Sequence, residues 1–129
     1  MASILIVDDD PDMAEAVRNV LESVGYPCRL AANGQDALDE VASELPGLVL
    51  MDMLMPIMDG WECAHQLREA YGNALPIVIM TAAEHADARA GTVEADAMLA
   101  KPFEIDELLR VVGRYVPAPL RREPDDAPA

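Results

Sequence analysis

The stretch Gly47-Leu48-Val49-Leu50-Met51-Asp52-Met53-Leu54-Met55-Pro56-Ile57-Met58-Asp59-Gly60 changes character twice. It begins as an unbroken apolar run, the pattern of a strand buried on both faces. Asp52 then stands where that strand should emerge. Pro56 and the Asp59-Gly60 pair mark a loop, after which a helical pattern begins. A charge is costly to bury, so a carboxylate at the tip of a core strand needs a partner or a chemical role.

Working outward, Ser3-Ile4-Leu5-Ile6-Val7 is a second apolar run and ends in Asp8-Asp9-Asp10-Pro11. Asp10 followed by Pro11 is a helix start, with the carboxylate as N-cap and proline at the first helical position. Met13, Val17, Val20, Leu21 and Val24 recur at helical spacing until Gly25 ends the helix. Cys28–Ala31 reads as a short strand. Asn33 caps a second helix with Ala37, Leu38, Val41 and Leu45 facing inward. A third helix, capped by Asp59, runs from about Gly60 to Ala70. Pro76–Met80 is a further strand ending at Thr81, and Ala97–Ala100 is a fifth leading into Lys101-Pro102. The last helix presents Ile105, Leu108, Leu109, Val112 and Val116. Between them, Ala82–Gly91 reads as a helix whose apolar residues are all alanines, so it should be weakly anchored.

Strands alternating with helices predict an α/β domain: a five-stranded parallel sheet doubly wound by five helices. The domain spans residues 1–116. Residues 117–129 turn to Pro, Arg, Asp and Ala without periodicity, and the reading expects a disordered tail there. At 129 residues there is room for one domain. With 9 Lys and Arg against 24 Asp and Glu, the net charge is −15. That field repels nucleic acid, so no nucleic-acid partner is expected. No apolar run is long enough to span a bilayer and no signal peptide opens the chain, so a cytoplasmic protein without membrane contact is expected. Cys28 and Cys63 then read as buried thiols, not as a disulfide or metal pair.

In doubly wound sheets, ligands sit outside the carboxyl ends of the strands. Asp8 and Asp9 end the first strand, Asp52 the third, Thr81 the fourth and Lys101 the fifth. Crowded carboxylates repel unless a cation neutralises them, and all-oxygen ligands suit Mg²⁺ better than a fully caged Ca²⁺. With a hydroxyl from Thr81 and an ammonium from Lys101, the edge has the parts that hold a phosphoryl group. Asp52 is the carboxylate placed to receive it.

Four pieces together resemble the receiver domains of two-component response regulators: residues 6–10, residues 51–60 (Met51-Asp52-Met53-Leu54-Met55-Pro56-Ile57-Met58-Asp59-Gly60), Met80-Thr81-Ala82, and residues 99–103. The resemblance implies strand order 2-1-3-4-5 and phosphoryl transfer to Asp52 from a sensor histidine kinase or phosphotransfer protein. It implies Mg²⁺ bound by Asp8, Asp9, Asp52 and the main-chain carbonyl of Leu54. Thr81 would be the switch hydroxyl and Lys101 the partner of the phosphoryl group, with a Lys101-Pro102 bond that is often cis. Two departures stand out: Met98 replaces the usual aromatic switch residue, and Glu94 replaces a frequent glycine. Leu54 and Ala83 offer no group to orient a hydrolytic water, so self-dephosphorylation should be slow. The expected product is a stand-alone phosphoacceptor, not an enzyme, that signals to a downstream protein through residues 82–116 or relays its phosphate.

Blander roles compete at several residues. Asp10 is explained by capping alone, and Thr81-Ala82-Ala83-Glu84 has the form of a capping box. Met51, Met53, Met55 and Met58 suit packing better than soft-metal binding. His65 and His85 read as exposed helix residues. A haloacid-dehalogenase-like phosphatase would also use Asp-x-Asp after a first strand, but it needs a further acidic pair at another strand end, and Asp125-Asp126 lie in the tail. A receiver-like module that binds without phosphorylation is the alternative that Met98 favours.

Overall fold

The four residues of β1 (Ile4–Val7) are completely buried, which is what a strand covered on both faces requires. In the computed structural model, which describes residues 3–53, 55, 57–82 and 95–117, β1 has β2 (Cys28–Ala31) on one side. On its other side lies β3 (Leu48–Asp52), followed by β4 (Ile77–Ala82) and β5 (Ala97–Lys101). Every pair is parallel and the order is β2-β1-β3-β4-β5. The described residues also form four α-helices: α1 (Pro11–Ser23), α2 (Gly34–Ser43), α3 (Gly60–Tyr71) and α4 (Ile105–Tyr115). The alanine helix expected after Ala82 lies outside the described residues, as do His85, Glu94 and the tail from residue 118.

Alternation along each strand splits the core into two layers. Ile4, Ile6, Leu48, Leu50, Val78 and Met80 point to the side covered by α1 and α4. Leu5, Val7, Val49, Met51, Ile77 and Ile79 point to the side covered by α2 and α3. Each large aliphatic side chain so buried contributes roughly 1.5–3 kcal/mol. Met51 and Met53 are buried in the second layer, with Met55 and Met58 packed against it, so the methionines serve packing.

The helix starts follow the sequence. Asp10 accepts from the backbone N–H groups of Asp12 and Met13, Asn33 from that of Asp36, and Asp59 from that of Glu62. Gly25, at φ 101°, turns the chain out of α1. Two inward assignments do not hold: Leu45 is 46% exposed and Ile105 57% exposed. Leu45 lies beyond the end of α2, where Glu44 is already extended and the helical phase is lost. Ile105 is the first residue of α4, and Val111 fills the inner face instead. The fourth strand also runs further than expected, with Ala82 paired to Lys101 where a helix start was read.

Arg68 binds the carboxylate of Asp96 at 2.9 Å and the carbonyls of Gly72 and Leu75. The same Asp96 carboxylate accepts from the Ile77 N–H at 2.8 Å. This network ties the end of α3 to the starts of β4 and β5. Tyr26 donates to the Val116 carbonyl and pins the end of α4 beside β2. No helix among the described residues is long and apolar enough to cross a membrane.

Cys28 and Cys63 are free thiols, and burial pushes both up to about 12. Between pH 9 and 12 the unfolded thiols release protons that the folded ones retain. Stability is therefore intact below pH 9 and falls as pH rises, by about 1.4 kcal/mol per unit for each thiol. Cys63→Ala loses packing at neutral pH but escapes its share of that penalty. In urea titrations the stability gap between parent and variant should narrow steadily from pH 9 to 11; a constant gap would contradict the assignment.

Candidate functional site

The carboxyl ends of β1, β3, β4 and β5 meet along one edge because the strands are parallel and in register. Val7 pairs with Met51, so the next residues, Asp8 and Asp52, emerge side by side. Asp52 pairs with Met80, which puts Thr81 one residue further along the adjacent strand. Thr81 in turn pairs with Ala100, the residue before Lys101. Parallel register alone thus delivers four reactive side chains to one place.

Asp8, Asp9 and Asp52 each place a carboxylate oxygen within 4.8 Å of those of the other two. Lys101 Nζ lies 2.9 Å from Asp52 Oδ1 and 3.7 Å from Asp8 Oδ2. Its ammonium sets one positive charge against three negative ones, so the cluster still favours a further cation. Asp8 is buried, and its Oδ1 accepts from the Asp10 N–H at 2.9 Å, while Oδ2 has no hydrogen-bond partner. Burial raises the Asp8 carboxyl above its usual range; the charges of Asp52 and Asp9 add to this, while the Asp10 N–H and Lys101 oppose it. Among the described residues, the ligand atoms that converge here are carboxylate oxygens, which is the donor set of a hard divalent ion.

Thr81 is 2% exposed and its hydroxyl also lacks a partner. A buried hydroxyl left unpaired costs about 1–3 kcal/mol, which a ligand carrying acceptor oxygens would relieve. The capping-box alternative for Thr81 depends on Glu84, outside the described residues. Met98 packs against the α2–α3 layer, on the face that carries Thr81, opposite Ile79 and two residues short of Thr81's partner Ala100. The Leu54 carbonyl expected as a ligand, and Ala83, lie outside the described residues. Lys101-Pro102 is a cis peptide. His65 is an exposed residue of α3 that faces Glu69 at 3.6 Å.

Sequence reading assigned Gly60 to a turn, and it missed what the glycine does. A Cβ on Gly60 would stand 2.7 Å from the Asp52 carbonyl oxygen and 3.0 Å from Met53 Cα. Its N–H donates to the Met53 carbonyl at 2.8 Å. The start of α3 therefore rests directly on the backbone that carries Asp52, a contact with no pattern in the sequence beyond the glycine itself. Gly60→Ala should force α3 away from β3 and lower the unfolding free energy by about 1–3 kcal/mol in urea titration; an unchanged midpoint would refute the contact.

Comparison with known proteins agrees with this geometry. The family model described as "Response regulator receiver domain" matches residues 4–113. Response regulator MprA of Mycolicibacterium vanbaalenii is 43% identical over 108 residues, covering 82% of this chain and 46% of that protein. MprA of Mycobacterium bovis is 41% identical over 127 residues, covering 96% and 53%. The chain thus spans about half the length of the curated relatives it matches. The response regulator TrrA of Thermotoga maritima, solved in complex with Mg²⁺ and BeF, superposes with a TM-score of 0.83 at 33% identity, covering 90% of this chain and all of that one. A receiver domain of a sensor histidine kinase from Pseudomonas aeruginosa, with a magnesium ion in its active-site cleft, gives 0.81 at 29% identity, covering 88% and 96%. With its sheet order, its edge of carboxylates and lysine, and a family match over most of its length, this chain belongs to the response regulator receiver domain family.

Proposed function

We propose that residues 1–116 form a receiver that accepts a phosphoryl group on Asp52 from the phosphohistidine of a sensor histidine kinase or phosphotransfer protein in the cytoplasm. The observation that carries the reading is the Asp52 carboxylate held 2.9 Å from the Lys101 ammonium inside a cluster of three carboxylates. Asp8 and Asp9 are the residues that would hold Mg²⁺ together with Asp52 and the Leu54 carbonyl. Bound there, the ion supplies positive charge to the oxygens of the transferring group.

The steps fall to the chain's own residues. The Asp52 carboxylate attacks phosphorus, a P–O bond forms and the P–N bond to the donor histidine breaks. The ring nitrogen keeps the bonding electron pair, and a proton from solvent leaves the imidazole neutral. Asp52 thereby exchanges a single negative charge for a group carrying close to two. Lys101 is placed to follow that charge onto the phosphoryl oxygens, and the unpartnered Thr81 hydroxyl gains an acceptor. Movement of Thr81 toward the phosphoryl group opens space on the face it shares with Met98. Met98, a flexible thioether, is the residue that would respond. The consequence is a shift in the face formed by residues 82–116, which carries the signal to a protein partner.

The chain is on this reading a phosphoacceptor that promotes its own modification, without turnover of a separate substrate. Intact mass after incubation with acetyl phosphate tests it. The parent should gain one phosphoryl group in the presence of Mg²⁺ and none with EDTA, Asp52→Asn should gain none, and Asp9→Asn should slow labelling about tenfold or more. A folded parent that gains no mass in Mg²⁺ would favour the module that binds without phosphorylation.

A further inference from the structure

Lys101 reaches the acceptor from a strand that the core holds only weakly. Within β5 only Leu99 is buried, whereas β1, and β3 as far as Met51, are wholly buried. β5 lies at the edge of the sheet, beside β4. Burial fixes the register of β1 and β3, because a slip by one residue would turn their core side chains to the other face. For β5 a polar pin takes over that task. Asp96, the residue before β5, donates its N–H to the Ile77 carbonyl at 2.7 Å and accepts the Ile77 N–H on Oδ2 at 2.8 Å. The two bonds close a ring on the first residue of β4. The same Oδ2 accepts from Arg68 of α3 at 2.9 Å. The Asp96 carbonyl accepts from the hydroxyl of Tyr115, at the end of α4, at 3.2 Å.

We infer that Asp96 is a positioning residue for Lys101 and, through it, for phosphoryl transfer; the second half rests on the function proposed for Asp52. The two residues stand at opposite ends of β5, about 16 Å apart along an extended chain. Asp96 bonded to Ile77 puts Ala97 opposite Val78, and the same ladder ends with Lys101 opposite Ala82. A slip of one residue would move Lys101 about 3.3 Å along the strand and turn its side chain to the other face. The 2.9 Å contact with Asp52 Oδ1 and the 3.7 Å approach to Asp8 Oδ2 would both be lost. The pin is suited to resist that slip. Its bond to Arg68 is charge-assisted, and the Arg68 side chain is only 16% exposed, so water screens the pair less than an ordinary surface one.

Lys101 is the only lysine in the chain, so isotopically labelled lysine gives a single NMR signal for its Cε. Asp52→Asn should shift that signal, which shows that it reads the pair. Asp96→Ala should shift it as well, with Asp96→Ser taking its place if the alanine variant does not fold. The same variant, under conditions where circular dichroism shows it folded, should take up phosphoryl groups from acetyl phosphate about threefold more slowly or worse. Asp96→Asn keeps an acceptor for the Ile77 N–H, and should restore the parent signal and a labelling rate within twofold. The Mg²⁺ concentration for half-maximal labelling should be the parent's in every Asp96 variant, since Asp8, Asp9 and Asp52 are untouched. A parent-like Lys101 signal in the folded alanine or serine variant overturns the inference, whether labelling slows or not, and leaves Asp96 a residue of stability alone. A parent that gains no phosphoryl group overturns the proposed function and the catalytic half of this inference, while the Lys101 signal still decides the placement.

Discussion

Three carboxylates share a small volume around one ammonium, and the rest of the molecule is arranged to hold them there. Left alone, Asp8, Asp9 and Asp52 would repel one another and drift toward solvent. They are kept together because each sits at or just past the end of a strand whose preceding residues are wholly buried. Lys101 relieves part of the repulsion from the neighbouring edge of the sheet. The unfavourable charge is thus supported by the apolar burial behind it, and the negative charge that remains is what favours a cation at this edge.

That arrangement needs a rigid platform and a loop that can be approached. The two core layers and the parallel register supply the platform, since a slip in any strand would move its terminal residue out of the cluster. Gly60 brings the start of α3 against the Asp52 backbone, and Gly34 lets the acceptor loop rest on α2. The Arg68–Asp96 network closes the opposite edge, so β4 and β5 enter the sheet at fixed positions and leave it with Thr81 and Lys101 aligned. Among the described residues, the one non-glycine backbone in the left-handed region is that of Ile57, outside the platform.

Much of this was legible in the sequence where one physical rule acts alone. The all-apolar runs ending in Asp8, Asp52 and Thr81 followed from burial on both faces, the shorter one ending in Lys101 is a half-exposed edge strand, and Asp10, Asn33 and Asp59 followed from the chemistry of helix starts. The same periodicity misplaced Leu45 and Ile105, because helical phase says nothing where a helix has ended or only just begun. Gly60 looked like a turn residue, and its close approach to another strand is a tertiary contact that leaves no periodic trace. Arg68 and Asp96 are far apart in sequence, and among 24 acidic residues nothing marked Asp96 as the one that would be paired. Ile57 sat inside a motif read for its carboxylate and proline, so its backbone conformation was invisible.

The central claim is that Asp52, and not one of its acidic neighbours, takes the phosphoryl group. Borohydride reduces an acyl phosphate but not a free carboxylate, so the modified residue can be marked permanently. Phosphorylation in Mg²⁺, reduction and peptide mapping by mass spectrometry should find homoserine at position 52 and unmodified aspartate at positions 8 and 9. Homoserine at either of those positions, with Asp52 intact, would contradict the account.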